Sequence, residues 1–302
     1  MVVRVCSKQV LTVGFPSCST CGEEGIKCDR EVCVTDEPLL NLLRRMRGSL
    51  GWTASNYTFF WGRKLSEALV RRGGTPHPHG AVTLAAKNAA LAKSRGEPVP
   101  DTPANFDARD RWPGLVGDMN DQGWCDTAWA LTTASVASDR LAIQTGGRKR
   151  DRLSPQELMD CSRSLQNGCD VGGHLDRAWN YLRRKGISPE TCYTWTGTQD
   201  KCRASPGRCK RYRTGPVYPL PGEDMIRYDI MTSGPVQATM RLYRDFFSYR
   251  SGIYRRSPES KTHRTGFHVV KIVGWGEENG IKYWVSSGRW GWCRPHSILF
   301  AQ

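Results

Sequence analysis

Apolar positions along this chain recur with a helical period in several stretches and as short continuous runs in others. Leu39, Leu40, Leu42, Leu43 and Met46 form one stripe, and Leu65, Ala68 and Leu69 form another, which predicts helical structure across residues 37–73. A longer helix is expected from about Trp129 to Gln144, where Ala134, Val136, Ala137 and Leu141 are apolar. Another is expected from about Ser154 to Cys161, with Ser154 as cap and Pro155 in the first turn. A third runs near Leu175 to Lys185 and stops at Gly186. Beyond it the pattern turns to strands, notably Val269 to Val273 and Lys282 to Val285. Helices first and strands later predict a two-part α+β architecture with a cleft between the halves.

The stretches without such periodicity mark the joints. Residues 1–36 are rich in cysteines and turn formers, and they contain Cys6, Cys18, Cys21, Cys28 and Cys33. A disulfide-stapled module fits them better than a zinc site, because no histidine lies nearby and the Cys28–Cys33 spacing is loose. Residues 74–104 combine glycine, proline and an alanine-rich run, the composition of a linker, and His77 and His79 within them read as linker residues.

Composition narrows the class. The chain has 302 residues, and no apolar run approaches the roughly 18 residues of a membrane span. Its N-terminus lacks the apolar core of a signal peptide. Twelve cysteines nonetheless point to an oxidising compartment. The odd number among residues 1–36 looks like a cut module, so an upstream part carrying the signal peptide is expected to have been lost by truncation. The formal charge is +15, concentrated at Arg44 to Arg47, Arg148 to Arg150, Arg183 to Lys185 and Lys201 to Arg213. Such a surface attracts polyanions. For a secreted protein these are sulfated glycans or acidic matrix proteins. No nucleic-acid-binding motif accompanies the charge, so nucleic acid is not the expected partner. No cofactor or metal site is expected.

Candidate chemistry centres on Gln122-Gly123-Trp124-Cys125-Asp126-Thr127-Ala128-Trp129. This stretch resembles the segment around the nucleophile of papain-type cysteine proteases, Gln-Gly-x-Cys-Gly-Ser-Cys-Trp, and the catalytic cysteine position is Ala128. The resemblance makes Gln122 the oxyanion-hole glutamine. His268, in Gly266-Phe267-His268-Val269-Val270, is similar to the family's catalytic histidine. Gly288, in Ser286-Ser287-Gly288-Arg289-Trp290, falls where the family has its orienting asparagine. Cysteine proteolysis needs a thiolate, an imidazole, a group to orient it and oxyanion donors. A methyl group has no lone pair, so this degenerate site is expected to be inactive. Thr127 sits one residue, about 100°, round the helix start.

The same resemblance implies a papain-like two-lobed fold, with a helical left lobe and a β-barrel-like right lobe, over residues 105–302. It implies disulfides Cys125–Cys169, Cys161–Cys202 and Cys192–Cys209, and a cleft lined by Trp129, Gly172, Gly173 and Trp290. Asn105 to Arg109 and Trp112-Pro113 resemble the mature start of a cathepsin B-like domain. The Trp52-Thr53-Ala54 stretch and the aromatics after it resemble a cathepsin B-type propeptide over residues 37–73. Residues 1–36 resemble the end of a von Willebrand type C module. Asn56-Tyr57-Thr58 is an N-glycosylation sequon.

Together with Gly51-Trp52-Thr53-Ala54, Val136 to Arg140 and the replaced nucleophile, these features resemble the tubulointerstitial nephritis antigen family. That resemblance implies a secreted, catalytically silent matrix protein with laminin, collagen IV and integrins as partners. The alternatives are a working cathepsin B-like peptidase and a decoy that binds protease inhibitors in the empty cleft. The final residues, Trp292 to Gln302, differ from the family's longer closing strands. The C-terminus is therefore expected to be incomplete, with exposed strand edges and Cys293 unpaired.

Overall fold

The computed structural model describes residues 28, 31–73, 101–162, 172–203, 207–220, 222–263, 265–288 and 297–302. Most of the cysteine-rich module, most of the linker with His77 and His79, and Cys169, Trp290 and Cys293 lie outside the described residues.

Local signals set the helices. In α1 (Glu37–Arg45) the Asp36 carboxylate caps the start by accepting from the Leu39 amide at 2.9 Å, and Arg44 and Arg45 complement the dipole at the other end. A short α2 (Arg47–Leu50) ends at Gly51, whose φ of 74° suits glycine. Trp52–Ala54, expected to be helical, instead forms strand β1, and α3 (Leu65–Gly73) follows a 3-10 turn at Thr58–Phe60. A two-residue β2 (Phe106–Asp107) leads into the single turn α4 (Ala108–Arg111).

The helical lobe contains α5 (Ala128–Gln144), α6 (Pro155–Cys161) and α7 (Leu175–Arg184). All three fall where the sequence puts them. The Glu157 amide donates to Ser154 Oγ at 3.0 Å, the expected cap. Residues around most of the circumference of α5 are buried, so it runs through the interior as the central helix.

The second lobe has α8 (Glu223–Ser233), β3 (Val236–Leu242), β4 (Tyr249–Tyr254), β5 (Gly266–Glu278), β6 (Ile281–Ser287) and β7 (Ser297–Ala301). The strands form a seven-stranded sheet in the order β1-β4-β7-β6-β5-β2, and β3 also pairs with β5. This corrects the barrel-like expectation. Closure needs hydrogen bonds between the end strands, and among the described residues the path ends at β1 and β2 without joining them. The tail read as differing from the family's closing strands also contributes a strand. Ser297–Ala301 lies between β6, antiparallel, and β4, parallel, so it fills the place predicted to be an open edge.

Two apolar clusters hold the fold. One joins α5, α6 and α7 through Trp129, Leu158, Leu182 and Ile187. The other belongs to the sheet, yet Val34, Leu39, Leu43, Trp52, Phe60 and Leu65 of the N-terminal segment are integral to it. Each fully buried Leu or Phe contributes about 1.5–3 kcal/mol. β1 extends the sheet by pairing Trp52 with Gly252, and the Trp52 indole donates to the Arg255 carbonyl at 2.8 Å. Arg244 binds Asp36 at 2.6 Å from beneath.

The disulfides Cys161–Cys202 and Cys192–Cys209 form as expected, and Cys28 is bonded to Cys33. Cys125 is disulfide-bonded.

The lobes are tied by charge as well as by packing. Lys271 of β5 and Asp139 of α5 form a buried ion pair at 2.8 Å, with side chains 0% and 3% exposed. The Lys271 ammonium also donates to the Gly117 carbonyl and to Ser135 Oγ, and the Gly117 amide donates back to Asp139. Burial pushes the Asp139 carboxyl above its ordinary pKa, against the pull of Lys271.

Removing one partner strands the other charge, so Lys271→Met should cost about 3–5 kcal/mol at neutral pH. An Asp with a raised folded-state pKa takes up its proton more readily when folded, so acidification should return part of that loss. Denaturant midpoints across pH check both. The paired replacement Asp139→Leu/Lys271→Met should come within about 1–2 kcal/mol of the original chain or exceed it.

Candidate active site

The loop from Gly117 to Thr127 delivers the site to the start of α5. Gly123 turns at φ 61°, and its amide donates to the Asp121 carboxylate at 2.8 Å. Cys125 is fixed by its disulfide. Ala130 and Leu131 donate to the Thr127 carbonyl at 3.0 Å, so the helix begins at Ala128 rather than Trp129. Ala128 therefore stands at the positive end of a 17-residue helix, the position that best stabilises an anion.

β5 and β6 bring the remaining residues. Gln122, Ala128, Thr132, His268, Ser287 and Gly288 line one pocket between α5 and the β5–β6 pair. Gln122 and His268 are each only 4% exposed. The four residues predicted as a degenerate site thus converge from three parts of the chain. Thr132 and Ser287 escaped the sequence reading. Thr132 lies one helical turn beyond Ala128, a spacing that shares a face, and that signal was available. Thr127 is fully buried and is not among the pocket-lining residues, so its hydroxyl does not take over the nucleophile's place.

Of the residues expected at the cleft wall, Trp129 and Gly173 pack against each other in the helical lobe. A Cβ added at Gly173 would come within 2.3 Å of the Trp129 indole, so glycine is required by that ring. Trp129 is 1% exposed, and its carbonyl accepts from Thr133 Oγ1. Gly172 is buried beside them at φ 64°. The position of Trp290 lies outside the described residues.

Trp124 is a further residue the sequence reading passed over. Its indole donates to Glu67 at 2.9 Å, Arg63 lies 4.0 Å over its ring, and Phe59 meets it edge-on at 5.3 Å. Through it, α3 and the 3-10 turn are packed onto the loop that carries Gln122. Asn56 of the sequon is exposed on the same N-terminal segment. Among the described residues, no group of three or more His, Cys, Asp or Glu could hold a metal, and no helix is long and apolar enough to cross a membrane.

With this geometry in place, a family model described as papain family cysteine protease matches residues 102–293. The chain belongs to the papain family of cysteine proteases. It is 37% identical over 311 aligned residues to tubulointerstitial nephritis antigen-like of Rattus norvegicus, covering 90% of this chain and 65% of that one. It is 36% identical to tubulointerstitial nephritis antigen of Homo sapiens, covering 90% and 63%. It thus spans slightly less than two thirds of the length of these curated relatives. Among solved structures, procathepsin B S9 from Trypanosoma congolense superposes with a TM-score of 0.73 at 26% identity, covering 90% of this chain and 94% of that one. The papain-family fold thus carries a pocket with glutamine and histidine on its walls and alanine at the helix start.

Ala128→Cys is expected to create a thiol with a pKa below the usual 8.5 or so, because it would sit at a helix N-terminus in the pocket lined by His268. The pH profile of iodoacetamide labelling, followed by peptide mapping, checks this. Labelling of the variant only after denaturation would mean that position 128 does not face the pocket.

Proposed function

We propose that this chain is a catalytically silent papain-family protein that works outside the cell by binding extracellular matrix or basement-membrane proteins. The observation that carries this reading is Ala128 at the helix start, sharing a pocket with Gln122 and His268. In this reading Ala128 occupies the nucleophile's position. A methyl group neither ionises nor forms a thioester. Removal of the nucleophile in a comparable triad enzyme lowers turnover by roughly 10⁶-fold. Cys125, the nearest sulfur in sequence, is already in a disulfide. Gly288 in the pocket wall has no side chain to orient His268.

Two further observations support the extracellular assignment. The disulfides Cys28–Cys33, Cys161–Cys202 and Cys192–Cys209 suit an oxidising compartment. The chain is also 36–37% identical to antigen-named relatives, against 27% for cathepsin B-like cysteine proteinase 4 of Caenorhabditis elegans. A site without chemistry leaves the N-terminal segment nothing to inhibit, so the fold has no need to shed it.

The test is solid-phase binding of the full disulfide-bonded chain to laminin and collagen IV. Saturable binding that survives in Ala128→Gly and His268→Ala variants is expected, since this function does not use the pocket. Absence of binding to both matrix proteins would remove the proposal.

A further inference from the structure

Three of the four basic runs in the sequence are far apart along the chain, and the helical lobe assembles them around one residue, Tyr212. The last turn of α7 carries Arg183 and Arg184, followed by Lys185, and all three are exposed. Gly186, at φ 72°, then turns the chain into Ile187. Ile187 and Tyr212 exchange backbone hydrogen bonds at 2.9 Å in each direction. This bridge lays the stretch containing Lys210 and Arg213 alongside the end of α7, and the Cys192–Cys209 disulfide pins Arg208 beside it.

The third run joins from the other side. The Tyr212 phenol donates to the Asp151 carboxylate, and Leu153 bridges to Pro189. These contacts seat the exposed loop of Arg148, Lys149 and Arg150 on the same part of the lobe. The Asp151 hydrogen bond pushes the Tyr212 pKa up to about 12, so the junction persists across the physiological pH range.

Most acids nearby are engaged within the lobe, while Asp200, next to Lys201, is exposed and accepts from the Lys201 amide. Glu157 is buried and binds Arg211 and Ser188, Asp160 receives Tyr193 and Gln156, and Glu190 receives Asn120. The exposed Asp176 lies in the first turn of α7, at the opposite end from Arg183. Among the described residues, Arg148, Arg183, Arg184, Arg208 and Arg213 are exposed and have no carboxylate partner. The aromatic rings beneath the face, Tyr193 and Tyr212, are buried and offer no platform for stacking bases.

We propose that this Arg- and Lys-lined face of the helical lobe is a binding site for a sulfated glycosaminoglycan chain. It rests on the reading of an extracellular protein given above. Planar guanidiniums match the oxygens of sulfate groups in paired hydrogen bonds, and an extended polyanion can bridge runs contributed by separate loops. Arg211 is excluded from the contact set, because it is committed to Glu157 and to the carbonyls of Lys185 and Gly186.

The experiment measures binding of the full chain to size-defined heparin oligosaccharides at graded sodium chloride by surface plasmon resonance. The variants are R183S/R184S/K185S and R208S/R213S. The control is R44S/R45S/R47S, which removes three cations, as many as the larger lobe variant, from the exposed basic run of α1 and α2. Each variant is first shown to keep the thermal midpoint of the original chain. The lobe variants should bind at least about tenfold more weakly, with the slope of log affinity against log salt falling by roughly 0.7–0.9 per cation removed. The α1–α2 control should stay within about twofold.

Equal losses in the control, or none in the lobe variants, would overturn the site. Undiminished binding of desulfated heparin, or equal binding of single-stranded DNA of matched charge, would overturn the sulfated-glycan assignment. A chain that binds laminin and collagen IV but not heparin would lose only this site. A chain that binds heparin but neither matrix protein would lose only the broader function.

Discussion

The buried contact between Lys271 and Asp139 is the constraint on which the arrangement of the two lobes depends. Neither charge reaches solvent, so each is tolerable only while the other is in place. The pair joins the central helix to the longest strand and also clasps Gly117, at the start of the loop that carries Gln122. Lys271 lies three residues along β5 from His268, and Asp139 about three turns along α5 from Ala128. Fixing these two elements fixes the pocket that both of them line. The next residue of α5 adds a second tie. Arg140 pairs with Asp229 of α8 and donates to the carbonyls of Gly234 and Pro235 just before β3.

The N-terminal segment reinforces the same frame from the opposite side. It adds β1 to the sheet and a set of apolar side chains to the sheet's core, and it grips the site loop through Trp124. Stripping it away would expose Val34, Leu39, Leu43, Trp52 and Phe60 together with the surface they cover. In this structure it is part of the body of the protein. That suits a chain whose pocket has the walls of a papain-family site and no sulfur at the helix tip.

Much of this was legible in the residues wherever the cause is local. Ser154 with Pro155 announces α6, Gly186 ends α7, and the spacing around Gln122 and His268 points to one pocket. Elements whose cause is distant were harder to read. β1 reads as part of a helical stretch until Gly252 and Ser251 are placed opposite it. β7 reads as a foreign tail, yet Leu299 pairs with Val285 on one side and Ile253 on the other. Gly173 looks like a cleft glycine, and only packing reveals the Trp129 indole that excludes a side chain there. The basic runs were plain in sequence, but their gathering around Tyr212 is a product of the bridge to Ile187 and the hydrogen bond to Asp151.

The most direct measurement of the central claim is hydrolysis of fluorogenic dipeptide substrates by the purified, disulfide-intact chain at mildly acidic and neutral pH. The account predicts no turnover above the uncatalysed rate, and the same null trace for a His268→Ala variant. Hydrolysis that scales with protein concentration and is abolished by both an epoxide inhibitor and His268→Ala would contradict it.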